Sequence, residues 1–243
     1  MEISFAGKRV LVTGAGQGIG RELAKKLVSC GATVTALSKT ENYLKTLKDE
    51  CPPIKIVAAD VGSSEIRAIL RQHGPFDCLV NNAALAILEP VLETKEESFD
   101  LLFNVNVKGV FVVSQEVARM MVDNKIQGSI VNISSQASKC ALRDHLAYCA
   151  SKSAVDMMSK VMALELGAHG IRVNCVNPTV VLTAMGRLGW SDPAKAGPLL
   201  QRIPLNRFAE VEEVVNVVLF LLSDKASMVN AVEIPIDGGF LSV

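Results

Sequence analysis

Short apolar runs alternate along the chain with longer amphipathic stretches. The runs at residues 8–12, 33–37, 54–58, 78–80, 129–133, 172–176 and 231–235 predict seven β-strands. Between them, apolar residues that recur every three or four positions predict helices over 20–29, 41–50, 64–73, about 95–103, about 107–124, about 147–166 and 211–222. The strand runs are solidly apolar, as in Arg9-Val10-Leu11-Val12. Strands covered on both faces have this pattern, and strand–helix–strand repeats make a parallel sheet with helices on both sides. No repeat or Pro/Gly/Ser linker interrupts the pattern. The expectation is therefore an α/β fold: one doubly wound domain over residues 1–243, with a parallel sheet of about seven strands. Such sheets bind ligands at the carboxyl ends of their strands, where the strand order reverses.

Composition narrows the possible functions. Hydrophobic residues make up 49% of the 243 residues and charged residues 21%, which excludes a largely disordered chain. Lys+Arg and Asp+Glu are both 25. The absence of a basic excess argues against a nucleic-acid partner. No apolar run reaches the roughly 18 residues of a membrane span. The first residues lack a signal peptide's basic-then-apolar layout. The six cysteines are scattered without a C-x-x-C, which fits reduced thiols in the cytoplasm. Three histidines without paired spacing give no reason to expect a metal.

The first strand runs into Thr13-Gly14-Ala15-Gly16-Gln17-Gly18-Ile19-Gly20. Glycines here let the backbone turn sharply and let a pyrophosphate approach the following helix N-terminus, whose free N–H groups and dipole favour negative charge. Farther along, Tyr148 and Lys152 are four apart on a predicted helix and share one face. A neighbouring ammonium favours a phenolate, so the pair suits proton transfer by Tyr148. Tyr43, the other tyrosine, is read as a structural residue on the second helix's surface.

The spacing T-G-x-x-x-G-x-G resembles the short-chain dehydrogenase/reductase family, and further segments agree in order along the whole chain. Asn81-Asn82-Ala83-Ala84 is similar to the family's N-N-A-G, with Ala84 in place of Gly. Asn106 matches its helix asparagine. Ser135 and Tyr148-Cys149-Ala150-Ser151-Lys152 match its serine and Y-x-x-x-K. Asn177-Pro178-Thr179 is similar to its P-G segment, again without the Gly. The resemblance implies a Rossmann-like fold and a hydride transfer between a nicotinamide cofactor and a carbonyl or alcohol. It implies that Tyr148 is the acid or base, that Ser135 holds the carbonyl oxygen, and that Lys152 tunes Tyr148 and holds the nicotinamide ribose. It implies that Asn106 fixes a relay water. By the same spacing, Ser134 and Ser138 are not the catalytic serine.

The resemblance also assigns a cofactor set: Gly14, Gln17, Gly18, Ile19, Gly20, Asp60, Val61, Asn82, Ala83, Tyr148, Lys152, Pro178, Val180, Val181 and Thr183. At the second strand's end, where NAD enzymes place a carboxylate for the ribose hydroxyl, this chain has Ser38, Lys39 and Thr40. Donors and one positive charge suit a 2′-phosphate, so the expected cofactor is NADP(H). Gln17 departs from the basic residue that many NADP-using members carry there.

Ser135, Gln136, Leu142, His145, Tyr148 and Trp190 form the expected substrate site. Gln136 and His145 offer hydrogen bonds to a hydroxylated chain, and Trp190 either walls the pocket or packs a lid. Within the family the resemblance is greatest to members that reduce L-xylulose to xylitol and α-dicarbonyls such as diacetyl, with NADPH. Reduction of aliphatic, aromatic or steroid ketones is the alternative, and a non-catalytic dinucleotide-binding scaffold a more remote one. The helix over 211–222 is apolar nearly all round and should be buried on more than one side. With family members assembling through this helix, the catalytic one and the last strand, a homotetramer is expected.

Overall fold

The computed structural model describes residues 3–242. Seven parallel strands form one sheet in the order β3-β2-β1-β4-β5-β6-β7. They are β1 (Arg9–Thr13), β2 (Thr33–Ser38), β3 (Lys55–Ala58), β4 (Cys78–Asn81), β5 (Ser129–Ile133), β6 (Arg172–Pro178) and β7 (Glu233–Ile236). The order reverses between β1 and β4, where Val10, Leu11 and Val12 pair with Cys78, Leu79 and Val80. That reversal opens the crevice in which a doubly wound sheet binds its ligand.

The helices are α1 (Gly18–Ser29), α2 (Glu41–Glu50), α3 (Ile66–His73), α4 (Glu96–Phe103), α5 (Val110–Asp123), α6 (Leu146–Leu166), α7 (Ala184–Gly189), α8 (Pro193–Leu200) and α9 (Val211–Leu222). Alternate strand residues face opposite layers. Val10, Val12, Val34, Ala36 and Val131 pack with Leu23 and Leu27 of α1 and Val214 and Val218 of α9. Leu11, Leu37, Leu79, Ile130 and Val173 pack with Leu70 of α3 and Val113, Val117 and Met121 of α5. Two covered faces explain the unbroken apolar runs.

Two features differ from the sequence expectations. The stretches expected as two helices near 95–103 and 107–124 join without a break through a π-helical segment, Asn104–Gly109. Both flanking cap residues keep right-handed helical angles, so no turn separates them. Second, α7 and α8 occupy a region expected as loop. Thr183 and Asp192 start them, each accepting a backbone N–H with its side chain, and Pro193 follows at the first turn. On one face of the sheet α9 packs beside α1, with Val217 and Phe220 only partly buried. Exposed apolar side chains on α5 and α6 include Phe111, Met157, Val161 and Leu164.

Among the described residues, no helix is long and apolar enough to cross a membrane. None of their His, Cys, Asp and Glu side chains group to hold a metal ion. All six cysteines are free thiols.

Candidate active site

The first turn leaves β1 at Gly14, whose φ is +63°, and enters α1 at Gly18, with φ +59°. Left-handed backbone of this kind favours glycine. A Cβ on Gly14 would sit 2.7 Å from the Ala83 backbone, so the turn and the segment after β4 touch backbone to backbone. Asn82 clamps them. Its amide nitrogen donates to the carbonyls of Thr13 (3.1 Å) and Gly14 (3.0 Å). The Thr13 hydroxyl accepts from the backbone N–H groups of Asn82 and Ala83.

A cleft of about 400 Å³ opens over this turn. Gly14, Gln17 and Gly18 line one end, Ser38, Lys39, Thr40, Asp60 and Val61 the other, and Asn82, Ala83 and Thr183 the remaining wall. Its residues fit an anionic dinucleotide. α1 starts with no side chain capping its N-terminus and no acid in its first turn, which leaves its N–H groups and dipole to an anion. At the tip of β2 the cleft has Ser38, Lys39 and Thr40 and no carboxylate. Lys39 Nζ instead reaches Asp60 at 2.9 Å, which raises the lysine's pKa. Asp60 is held below the usual carboxylate range: burial opposes the charge, but the Lys39 and Gly62 N–H contacts outweigh it.

Several residues expected at the cofactor do not line the cleft, Tyr148 and Lys152 among them. Ile19 is partly buried and packs against the core. Gly20 faces Asn82 and Gly14, where a Cβ would meet the Asn82 amide at 2.5 Å. Pro178 ends β6, Val180 joins an apolar cluster, and Val181 bridges to Ala209. Conversely, Tyr43 lines the cleft and is not merely a surface residue. Its Cβ would lie 2.9 Å from a Cβ on Gly16, so the glycine turn brings it in. Leu37, Ala59, Ala84, Leu85, Leu101 and Val105 also line it. Their signal in the sequence was only that they lie at or just after the ends of β2, β3 and β4 or, for Leu101 and Val105, on α4 and the π-helical segment.

Tyr148 and Lys152 lie one turn apart on α6, with Lys152 Nζ 5.7 Å from the phenol ring centre. Lys152 is 4% exposed and donates to the Ile133 carbonyl at 2.9 Å. Burial pushes its pKa down to about 8. Burial also raises the Tyr148 phenol, while the Ser135 hydroxyl acts in the opposite direction. The phenol is thus not lowered as expected in the chain alone, because withdrawal from water disfavours the phenolate more than its neighbours favour it.

Ser135 leaves β5 in extended conformation and caps the 3-10 turn Gln136–Ser138, its hydroxyl accepting from the Ala137 N–H. Ser134 and Ser138 are occupied elsewhere: their hydroxyls donate to the carbonyls of Lys152 and Ser135. Asn106 sits buried in the π-helical segment. Its side chain accepts from the Leu85 N–H (2.8 Å) and donates to the Leu85 carbonyl (2.9 Å) and the Ser151 hydroxyl (3.1 Å). It staples the cleft wall to α6, which leaves its side chain little capacity for a relay water.

The expected substrate residues spread over neighbouring surfaces. Gln136 is 3% exposed, and its Oε1 has no hydrogen-bond partner. The His145 ring meets the Tyr148 ring edge to face, centres 6.2 Å apart. His145 and Leu142 line a second cavity of about 520 Å³ with Glu89, Cys140 and Cys149. Trp190 packs against Phe208, ring centres 5.6 Å apart, in an apolar cluster that also holds Leu142.

Comparison with known proteins agrees with this geometry. Residues 14–241 match the family model described as enoyl-(acyl carrier protein) reductase. The chain is 54% identical to D-erythrulose reductase of Gallus gallus, over 99% of this chain and 98% of that one. It is 54% identical to L-xylulose reductase of Homo sapiens, over 99% of each, and 50% identical to carbonyl reductase [NADPH] 2 of Sus scrofa, over all of both. Among solved structures, a short-chain type dehydrogenase/reductase from Mycobacterium ulcerans superimposes with a TM-score of 0.93 at 32% identity, over 99% of this chain and 92% of that one. A gluconate 5-dehydrogenase from Burkholderia cenocepacia, in complex with NADP and tartrate, gives 0.94 at 31% identity, over 100% and 98%.

Proposed function

Because the chain belongs to the short-chain dehydrogenase/reductase family, we propose that it is an NADPH-dependent reductase that converts L-xylulose to xylitol and also reduces α-dicarbonyls such as diacetyl. The observation that carries the reading is that Tyr148 and Lys152 share one face of α6 with Ser135 in hydrogen-bond reach of the phenol, while Asn106 ties the same helix at Ser151 to Leu85, a lining residue of the cleft that also presents Ser38, Lys39 and Thr40. High identity to an L-xylulose reductase over nearly the full length supports the substrate. A solved relative holding NADP supports the cofactor.

NADPH, when bound, supplies the hydride. The residues of the chain do the rest. Gly14, Gln17, Gly18 and the α1 N-terminus hold the pyrophosphate, and Ser38, Lys39 and Thr40 the 2′-phosphate. Ser135 donates a hydrogen bond to the substrate carbonyl oxygen and stabilises the charge that develops there. Tyr148 gives that oxygen a proton. Its raised pKa keeps the phenol protonated at neutral pH, which suits the reductive direction. Lys152 holds the ribose hydroxyls and keeps positive charge near the phenol. The Gln136 Oε1 accepts a substrate hydroxyl, and its lack of a partner within the chain suits that task.

The apolar wall of Leu142, Trp190 and Phe208 favours a second reading, reduction of more hydrophobic ketones, which the pig carbonyl reductase's name parallels. We place the protein in the cytoplasm as a homotetramer whose contacts include the exposed apolar face of α5 and α6. Incubation of purified protein with NADPH and L-xylulose, followed by chromatography, tests the proposal. Xylitol is the expected product; its absence at high protein concentration contradicts the assignment.

A further inference from the structure

Asp156 is a buried carboxylate that the chemistry above does not use. It lies on α6 one turn beyond Lys152 and two beyond Tyr148, so all three share a face. It is 4% exposed. Its two oxygens accept from the Asn177 amide nitrogen at 3.2 and 3.0 Å. Lys139 Nζ, from the turn after Ser135, stands 3.2 Å away. The same Asn177 nitrogen donates to the Ser135 carbonyl at 3.2 Å and to the Ser138 hydroxyl at 2.9 Å. The Ser138 hydroxyl itself donates to the Ser135 carbonyl. One side chain therefore connects the carboxylate to the backbone of Ser135.

We propose that Asp156 is a positioning residue for Ser135, acting through Asn177; this rests on the reading of Ser135 as the group that receives the carbonyl oxygen. Both Asp156 oxygens accept from the Asn177 nitrogen, which fixes the end of the amide that faces the carboxylate. The nitrogen is held toward Asp156 and the Ser135 carbonyl, and Oδ1, which has no partner, is held away. A neutral amide at position 156 removes this preference. Asn177 is then free to turn over, which sets Oδ1 against the Ser135 carbonyl and displaces the turn. Other charged groups surround the pair. Lys139 also pairs with Glu233 of β7, which pairs with Lys160 of α6; Lys152 on α6 and Cys175 on β6 complete the titratable groups around Asp156.

The test compares Asp156→Asn, Asn177→Ala and the double variant of the full chain, using L-xylulose and NADPH. Asp156→Asn is expected to lower kcat about 10-fold, as a small misplacement of a catalytic group does. NADPH affinity, read by nicotinamide fluorescence, should change less than about two-fold, and the double variant should be no slower than the slower single one. Unchanged kcat, losses that multiply in the double variant, or a matching loss of NADPH affinity would overturn the proposal. So would a crystal structure of Asp156→Asn with Asn177 and the Ser135 backbone in place, whatever the activity. A wild type that reduces no carbonyl would overturn the reading of the site instead.

Discussion

Lys152 and Tyr148 share one face of α6, with the ammonium nitrogen 5.7 Å from the phenol ring centre and one of its three N–H groups donated to the Ile133 carbonyl. Both are buried enough to disfavour charge, so the lysine is pushed down to about 8 and the phenol up. Carbonyl reduction draws on the protonated phenol and should be steady through neutral pH, then fall as pH rises past about 8 and Lys152 loses its charge. Alcohol oxidation needs the phenolate and should rise over the same range. Tyr148→Phe should lower reduction about 100- to 10,000-fold while NADPH still binds. Initial rates against pH in both directions, with cofactor titrations of the variant, check this.

Lys39 is held by Asp60 at 2.9 Å at the end of the cleft assigned to the 2′-phosphate. Lys39→Ala should weaken NADPH binding roughly 10-fold or more, the size of one charge-assisted hydrogen bond, and leave NADH almost unchanged. Asp60→Asn frees the ammonium and should tighten NADPH by up to about five-fold, the scale of an exposed ion pair. Calorimetric titration of both cofactors separates these effects.

Asn106 joins the Leu85 backbone to Ser151. Asn106→Ala leaves the Leu85 N–H and carbonyl without these partners and should cost about 2 kcal/mol of stability, as stranded buried polar groups do. Because Leu85 lines the cleft, NADPH affinity should fall with it. Denaturant melts and cofactor titration measure the two losses.

Glu213 and Glu210 form a reciprocal cap on α9, and Arg207 helps hold Glu213 down to about 2 from its ordinary 4.5. A lowered folded-state pKa means that the stabilisation is complete above the ordinary value and fades as pH falls toward the lowered one. Glu213→Ala should cost about 1 kcal/mol at neutral pH, and the gap from wild type should shrink below pH 4.5. Urea melts at neutral and acidic pH test the sign.

The strands were legible because residues such as Val10 to Val12 had to be apolar on both faces, and the Tyr148–Lys152 spacing because α6 repeats about every four residues. The continuity of α4 and α5 was not legible: a π turn at Asn104–Gly109 leaves no mark that distinguishes it from a break. Tyr43 is exposed on α2, as expected, but its place on the cleft was not legible because it depends on the Gly16 backbone, a contact across elements. The Asp156–Asn177 link joins residues 21 apart in sequence and needed the sheet to bring them together.

The central claim is a reductase that requires NADPH and prefers small hydroxylated or dicarbonyl substrates. The most direct measurement follows the absorbance of reduced nicotinamide with purified protein, comparing L-xylulose, diacetyl and a hydrophobic ketone, and NADPH against NADH. The account predicts turnover of L-xylulose and diacetyl with NADPH and little with NADH. Activity on the hydrophobic ketone alone, or equal rates with the two cofactors, would contradict it.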